Sequence, residues 1–309
     1  MAIAVRQVKT FTVSGEDGTV TVSFDSSVAA GSTLVVVAGA YSDIATDGTR
    51  LTSVSDTSSN TWESPTNVRA VESWVPNVFG AVAQNVASGS PTLTLNLSIA
   101  SGNRVSGALF EVSGCVTSSG IDKTVTGTST TSSISTSATG TLTQANNLVI
   151  LCAAGWFGEP SNPSGWVSDL TQTNGVGGYL GCQVSHKTTS TTSSVTGTVS
   201  SSSAGASSAL MYVIKEAAAV ATLRYKFLLN ASTFTSADTS ITGYVWRNGD
   251  PDNTVAEKYT SLAGDATAGV LYITSGLPAG AATSDTIIGS FYNSTDGSRP
   301  FVAGTVEEV

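Results

Sequence analysis

His186 is the single histidine of the chain, so any serine-type relay would have to use it as its base. It lies in Gln183-Val-Ser-His-Lys-Thr188 with polar neighbours, no G-x-S-x-G elbow accompanies it, and the spacing reads as a surface strand. Paired carboxylates would be the alternative chemistry, that of a glycosidase. Glu72 and Glu111 fall on expected strands, and Asp56 and Glu63 flank an expected turn. None forms a recognisable motif, and carboxylates on a β-sandwich mostly belong to the solvated outer face. Gly175-Val-Gly-Gly-Tyr-Leu-Gly181 is glycine-rich, but it misses the phosphate-loop spacing and precedes a strand rather than a helix. Asp43 and Asp47 in one loop, with Asp250 and Asp252 in another, are the candidates for calcium, which takes oxygen ligands from loops. Neither cluster matches a known calcium loop, and turn chemistry explains both. No metal, no cofactor and no enzymatic activity is expected. Among five tryptophans, Trp156 stands out because it adjoins Phe157 in a loop ending Gly158-Glu-Pro160; these two aromatics are the expected contact surface.

Composition narrows the role further. Charged residues make up 11% of the chain, well below the ~25% of ordinary soluble domains. Net charge is −9, with 8 Lys/Arg against 12 Asp/Glu over residues 1–215 and 5 against 10 beyond. That balance, with no basic stripe, argues against phosphate-backbone binding. Ser and Thr together reach roughly 30%, far above ordinary usage. The 40% of hydrophobic residues sit in short regular runs, which a disordered chain would lack. The N-terminal residues carry no apolar signal region, and no apolar stretch approaches the ~20 residues that span a bilayer. Synthesis in the cytosol and no membrane association are expected. Cys115, Cys152 and Cys182 are odd in number and widely spaced, which suits buried core positions rather than zinc or disulfides.

These groups must be positioned by strands, because no segment carries a helix-period pattern. Thr33–Tyr41 and Asn147–Trp156 are apolar on both parities, as strands covered on both faces are. Pro91–Ser98 alternates strictly, Leu93, Leu95 and Leu97 against Thr92, Thr94 and Asn96. Phe11–Phe24 and Leu51–Trp62 read as hairpins, Arg69–Val78 as an alternating strand, and the Ser/Thr/Gly tract Thr124–Thr143 as edge strands and loops.

Two stretches recur in the same order. Leu34-Val-Val-Val-Ala-Gly-Ala-Tyr41 echoes Leu148-Val-Ile-Leu-Cys-Ala-Ala-Gly-Trp156, and Ser106-Gly-Ala-Leu-Phe-Glu-Val-Ser113 echoes Ser207-Ser-Ala-Leu-Met-Tyr-Val-Ile214. Such an echo fits two layers of one sandwich, or a jelly roll built from two related strand sets. Residues 1–215 therefore form a large jelly-roll-like β-sandwich, 216–221 a linker, and 222–309 a smaller immunoglobulin-like β-sandwich of short strands with Gly/Asp/Asn/Pro-rich turns.

The run Val54-Ser-Asp-Thr-Ser-Ser-Asn60-Thr-Trp62, the buried strand before it and the closing Ala-Leu-Met-Tyr-Val-Ile-Lys215 resemble β-sandwich domains of tailed-bacteriophage virion proteins. Leu229, Gly243-Tyr-Val-Trp246 and Gly269-Val-Leu-Tyr-Ile273 resemble the small immunoglobulin-like modules of phage head and tail proteins. Where that family usually has glycine in Asp-x-x-Gly-Asn-x-Trp, this chain has Ser59. The resemblance implies a non-enzymatic structural protein of the virion surface, a capsid decoration protein or head fibre. Its partners would be major capsid or tail proteins and further copies of itself, as in a trimer. The competing class is a tail adhesin or glycan-binding module that recognises a host surface glycan.

Overall fold

Thr33–Ser42 is buried at every described position, and a strand can bury both faces only if something packs on each. The structure, a computed structural model, shows what does so. It describes residues 2–15, 18–42, 49–69, 76–98, 103–156, 158–173, 180–218, 223–228, 243–247, 257–259, 263–265, 270–273, 282–291 and 301–308. These are all-β, without a helix. The chain divides into two compact units, Met1–Ala219 and Val220–Val309.

Unit 1 contains two sets of eight strands. The first is β1 (Ala4–Gly15), β2 (Thr19–Ser23), β3 (Thr33–Ser42), β4 (Leu51–Asp56), β5 (Thr66–Val68), β6 (Asn77–Ala83), β7 (Thr92–Leu97) and β8 (Asn103–Ser113). The second is β9 (Ile121–Ser129), β10 (Ser133–Ser135), β11 (Asn147–Gly155), β12 (Pro160–Ser161), β13 (Val167–Gln172), β14 (Gly181–Thr189), β15 (Thr198–Ser201) and β16 (Ser207–Lys215). The first set makes a five-stranded sheet, β1-β8-β3-β6-β5, and a three-stranded sheet, β2-β7-β4; the second makes β9-β16-β11-β14-β13 and β10-β15-β12. Strand for strand the two orders are the same. Each is a jelly-roll order in which the fifth strand has joined the larger sheet.

The layers explain the patterns in the sequence. Val35, Val37 and Phe110 of one five-stranded sheet share a core with Ile150, Cys152, Leu210 and Tyr212 of the other. On its far side each five-stranded sheet carries its own three-stranded sheet: Val36, Ala38 and Leu109 meet Val20, Val22, Leu93 and Leu95, and Val149, Leu151 and Met211 meet Ile134 and Val199. The five-stranded sheets are thus inner layers, buried on both faces. The three-stranded sheets are outer layers, and β2 and β7 alternate because only one face is covered. Their solvent faces are lined by hydroxyls and amides, with Ser23 bonded to Thr92 at 2.8 Å, Asn96 to Ser53 at 3.0 Å and Ser135 to Thr198 at 2.8 Å.

Two expected hairpins are absent. Phe11–Phe24 is not a hairpin, since β1 pairs with β8 and β2 with β7. Leu51–Trp62 is not one either: β4 pairs with β7, and Trp62 bridges to Ala83. In both cases the connecting turn carries the chain from one layer to another, so strands adjacent in sequence are not adjacent in a sheet. Of the alternating strand expected over Arg69–Val78, residues 70–75 lie outside the described residues, and Asn77 and Val78 open β6. At the other end of the unit, Glu216 bridges to Cys115 and Ala217 N donates to Gly114 O at 2.7 Å, so both belong to unit 1.

Unit 2 contains β17 (Leu223–Leu228), β18 (Gly243–Arg247), β19 (Glu257–Tyr259), β20 (Ala263–Asp265), β21 (Val270–Ile273), β22 (Thr286–Phe291) and β23 (Phe301–Glu308). All seven join in one antiparallel order, β19-β18-β22-β23-β17-β21-β20. Among its described residues, the apolar Tyr225, Phe227, Val245, Ile287 and Val306 and the polar Ser290 are buried.

Candidate functional site

The described carboxylates among the candidates, Asp56, Glu63 and Glu111, are held in structural roles. Asp56 ends β4, and its Oδ1 accepts from Ser58 N at 2.8 Å and Asn60 N at 3.2 Å. Its Oδ2 accepts from Asn60 Nδ2 at 3.1 Å and Trp62 Nε1 at 2.7 Å. One side chain therefore closes the turn and fixes the indole that packs over the core. Ser59, exposed within that turn, has φ +56°, the left-handed region that suits glycine. Ser59→Gly is expected to raise the stability of unit 1 by about 0.5–1 kcal/mol, net of the freedom glycine adds to the unfolded chain. Urea denaturation of the two proteins would measure it.

Glu111 is a correction. It is fully buried on β8, not on a solvated face. Its Oε1 accepts from Ala29 N at 2.8 Å and Ser32 Oγ at 2.9 Å, and its Oε2 from Gln7 Nε2 at 2.7 Å. Arg6 Nη1 lies 3.4 Å from Oε1. Glu63 accepts a short hydrogen bond from Gln84 Nε2, and the Gln84 Oε1 accepts from Gly120 N at 2.5 Å. Glu72 lies outside the described residues.

His186 also departs from expectation. Its side chain is only 17% exposed, and Nδ1 sits 2.8 Å from Oδ2 and 3.0 Å from Oδ1 of Asp169, itself nearly buried. A bulge in β13 between Ser168 and Leu170 turns Asp169 toward it, and the Phe110 ring stands edge-on at 6.1 Å. No signal in the sequence links residues 169 and 186, because the pairing depends on that bulge. A relay would need a nucleophile on the imidazole. The neighbouring hydroxyls bond elsewhere: Gln183 Nε2 donates to Ser168 Oγ at 3.0 Å and Ser185 Oγ at 2.9 Å, and Ser185 Oγ donates to Asn162 Oδ1 at 2.6 Å.

Tyr212 of β16 crosses the inner-sheet interface and lies over Gly80 of β6, where a Cβ would stand 2.7 Å from its ring. Burial pushes its phenol up to about 12; a hydrogen bond with Thr66 acts the other way, and the Glu63 carboxylate adds to the rise. The folded state therefore keeps this proton more tightly than the unfolded state, whose tyrosine titrates near 10. The stabilisation is whole below pH 10 and is lost as pH rises toward 12, by ~2–3 kcal/mol in all. Urea midpoints measured stepwise across that window should fall for the wild type, and the fall should shrink in Tyr212→Phe.

The remaining candidates divide by location. Trp156 follows β11 and is 44% exposed, with Gly205 packed against its backbone. Phe157 lies outside the described residues, as do Asp43, Asp47, Asp250 and Asp252. The described residues hold no group of three or more His, Cys, Asp or Glu side chains that could take a metal. The three cysteines are buried free thiols. Cys152 and Cys182 approach to 4.0 Å between sulfurs, and burial, ahead of the neighbouring thiol, raises Cys152 well above the ordinary thiol range. No family model, characterised relative or solved structure matches the chain.

Proposed function

We propose that the chain is a non-enzymatic structural protein of a bacteriophage particle, displayed on the particle surface as a capsid decoration protein or head fibre. The observation that carries this reading is the use made of the polar interior. Glu111 and Asp56 are filled by backbone, hydroxyl, amide and indole donors, and Asp169 is paired with His186. These are groups that fix loops and layers. The solvent faces of the outer sheets, lined by Ser, Thr and Asn with hydroxyl pairs such as Ser23–Thr92, suit an exterior that stays soluble with little charge. In this reading the protein is made in the cytoplasm of the infected cell. It joins the particle through major capsid or tail proteins and through further copies of itself.

Pelleting tests it directly. Purified protein is incubated with virus-like shells lacking it and, separately, with host cells, and each is sedimented. Co-sedimentation with shells but not cells is the expected result. Binding to cells without shells would replace this reading with that of an adhesin, and binding to neither would overturn attachment to the head.

A further inference from the structure

Cys152 and Cys182 are 30 residues apart in the sequence and in contact in the fold, their sulfurs 4.0 Å from each other. Cys152 lies on β11 and Cys182 on β14, the strand beside it. Cys152 pairs with Val184 and Cys182 with Ala154, so the two thiols are diagonal neighbours. Both belong to the core between the two inner sheets, and neither has any exposed surface. The third thiol has other company. Cys115 Sγ lies 3.1 Å from Thr33 Oγ1 and 3.2 Å from Val112 O, on the opposite inner sheet. Packing alone does not require two sulfurs to meet. The first jelly roll fills the matching positions with Val37 and Val78, which belong to the same core. The second half puts a reactive group at both.

We infer that Cys152 and Cys182 form a reversible disulfide, which ties β14 to β11 when the protein passes from reducing to oxidising surroundings. An S–S bond is ~2.0 Å long, so the sulfurs have about 2 Å to close. Diagonal neighbours stand farther apart than opposite ones, so closure takes a turn of the side chains and a small shift of β14. The surroundings allow both. Opposite Cys182 the facing sheet has Gly39, which puts no side chain against Sγ. Cys182 Sγ gives up only its hydrogen bond to Ser106 O, at 3.3 Å. On its far side β14 is flanked by the edge strand β13, whose pairing with it already slips between Ser168 and Leu170. With hydrogen peroxide as oxidant, one thiol becomes a sulfenic acid as the O–O bond breaks and a water leaves. The other thiol displaces the sulfenic oxygen as a second water, and the S–S bond forms. Oxidised glutathione does the same by two exchanges, releasing two glutathione thiols. Burial slows the first step, because it holds Cys152 as the thiol, and the oxidant enters only as the β13 edge opens. The pair therefore stays reduced in a cytosol and closes over hours outside one. The inference does not depend on the particle role.

The intact protein, reduced and desalted, is held in native buffer with hydrogen peroxide and, separately, with oxidised glutathione. Samples are alkylated in denaturant and mapped by mass spectrometry. The expected main product is a Cys152–Cys182 cross-link with Cys115 still free, and a thermal midpoint raised by ~5 °C that reduction reverses. Cys115→Ser should leave the cross-link intact. Cys152→Val, which installs the side chain of the matching Val37, should abolish both the cross-link and the midpoint shift. Should that variant disturb the fold, Cys182→Val and the wild-type map decide. Three free thiols after overnight exposure, a cross-link through Cys115, or a linked protein no more stable than the reduced one overturns the inference.

Discussion

Gly39→Ala is expected to destabilise unit 1 by about 2–3 kcal/mol, a fall of ~5–10 °C in Tm for a unit of this size. A Cβ on Gly39 would stand 2.4 Å from the Cβ of Ala154, and neither atom can rotate away because both are fixed to strand backbones. Leu180 and Cys182 already touch the same spot at 3.4 and 3.5 Å, so the sheets would have to separate locally. Ala154→Gly, which removes the opposing atom, should cost little alone and restore most of the loss when combined with Gly39→Ala. A double-mutant cycle by thermal and urea denaturation measures this coupling. If the losses merely add, the two inner sheets do not meet at this point.

The contact has a wider meaning because Gly39 and Ala154 are counterparts. β1 and β9 each carry a bulge at the same place, Arg6 in the first and Asp122 in the second, which aligns Val112 with Ile214 and Glu111 with Val213. Val112 pairs with Thr33 and Ile214 with Leu148, and following β3 and β11 onward brings Gly39 level with Ala154. The other contacts reciprocate: β6 touches β16 as its counterpart β14 touches β8, and β5 touches β9 as β13 touches β1. Unit 1 is thus built like a symmetric dimer of two jelly rolls within one chain, with small residues at the pseudo-twofold axis.

Much of this architecture is legible in the sequence, and what is not has physical causes. The buried runs of β3 and β11 and the alternation of β7 follow from whether one or both faces of a strand are covered. The duplication was legible as an echo, but in the wrong register. Matching Ser106 to Ser207 sets Leu109 beside Leu210, which face different cores, whereas the fold matches Leu109 with Met211. Side chains alternate with period two, so a slip of one residue exchanges the faces, and similarity between apolar residues cannot detect it. β6 is not legible because its residues show no alternation and include Gly80, a poor strand former that leaves room for Tyr212 from the facing sheet. The false hairpins share another cause, since the sequence marks turns well but not which layer the chain enters after them. His186 and Asp169 were unreadable as a pair for the same non-local reason.

Glu111→Ala is expected to cost about 3–5 kcal/mol, the loss typical when one partner of a buried charged network is removed. Deleting this carboxylate strips acceptors from Ala29 N, Ser32 Oγ and Gln7 Nε2 together, and the groups around it are too enclosed for water to replace it fully. The loop between β2 and β3 should loosen first, so amide exchange at Ala29 should speed up more than exchange in β11. Glu111→Gln retains one carbonyl oxygen for Ala29 and Ser32 but turns an NH₂ toward Gln7. Gln7 can invert its amide to accept, at the expense of its bond to Ser26 O, so the loss should be nearer 1–2 kcal/mol. The second half shows why Val213 at the matching position is no precedent for an apolar substitute. There Asp122, the bulged residue, accepts from Thr143 N and Thr143 Oγ1, both at 2.9 Å, and so holds the loop between β10 and β11 from another strand. Asn147, which occupies the place of Ser32, is left with Oδ1 lacking a partner among the described residues. Glu111→Val should therefore be nearly as harmful as Glu111→Ala. A Glu111→Val protein as stable as wild type would mean that the carboxylate is not what holds the loop.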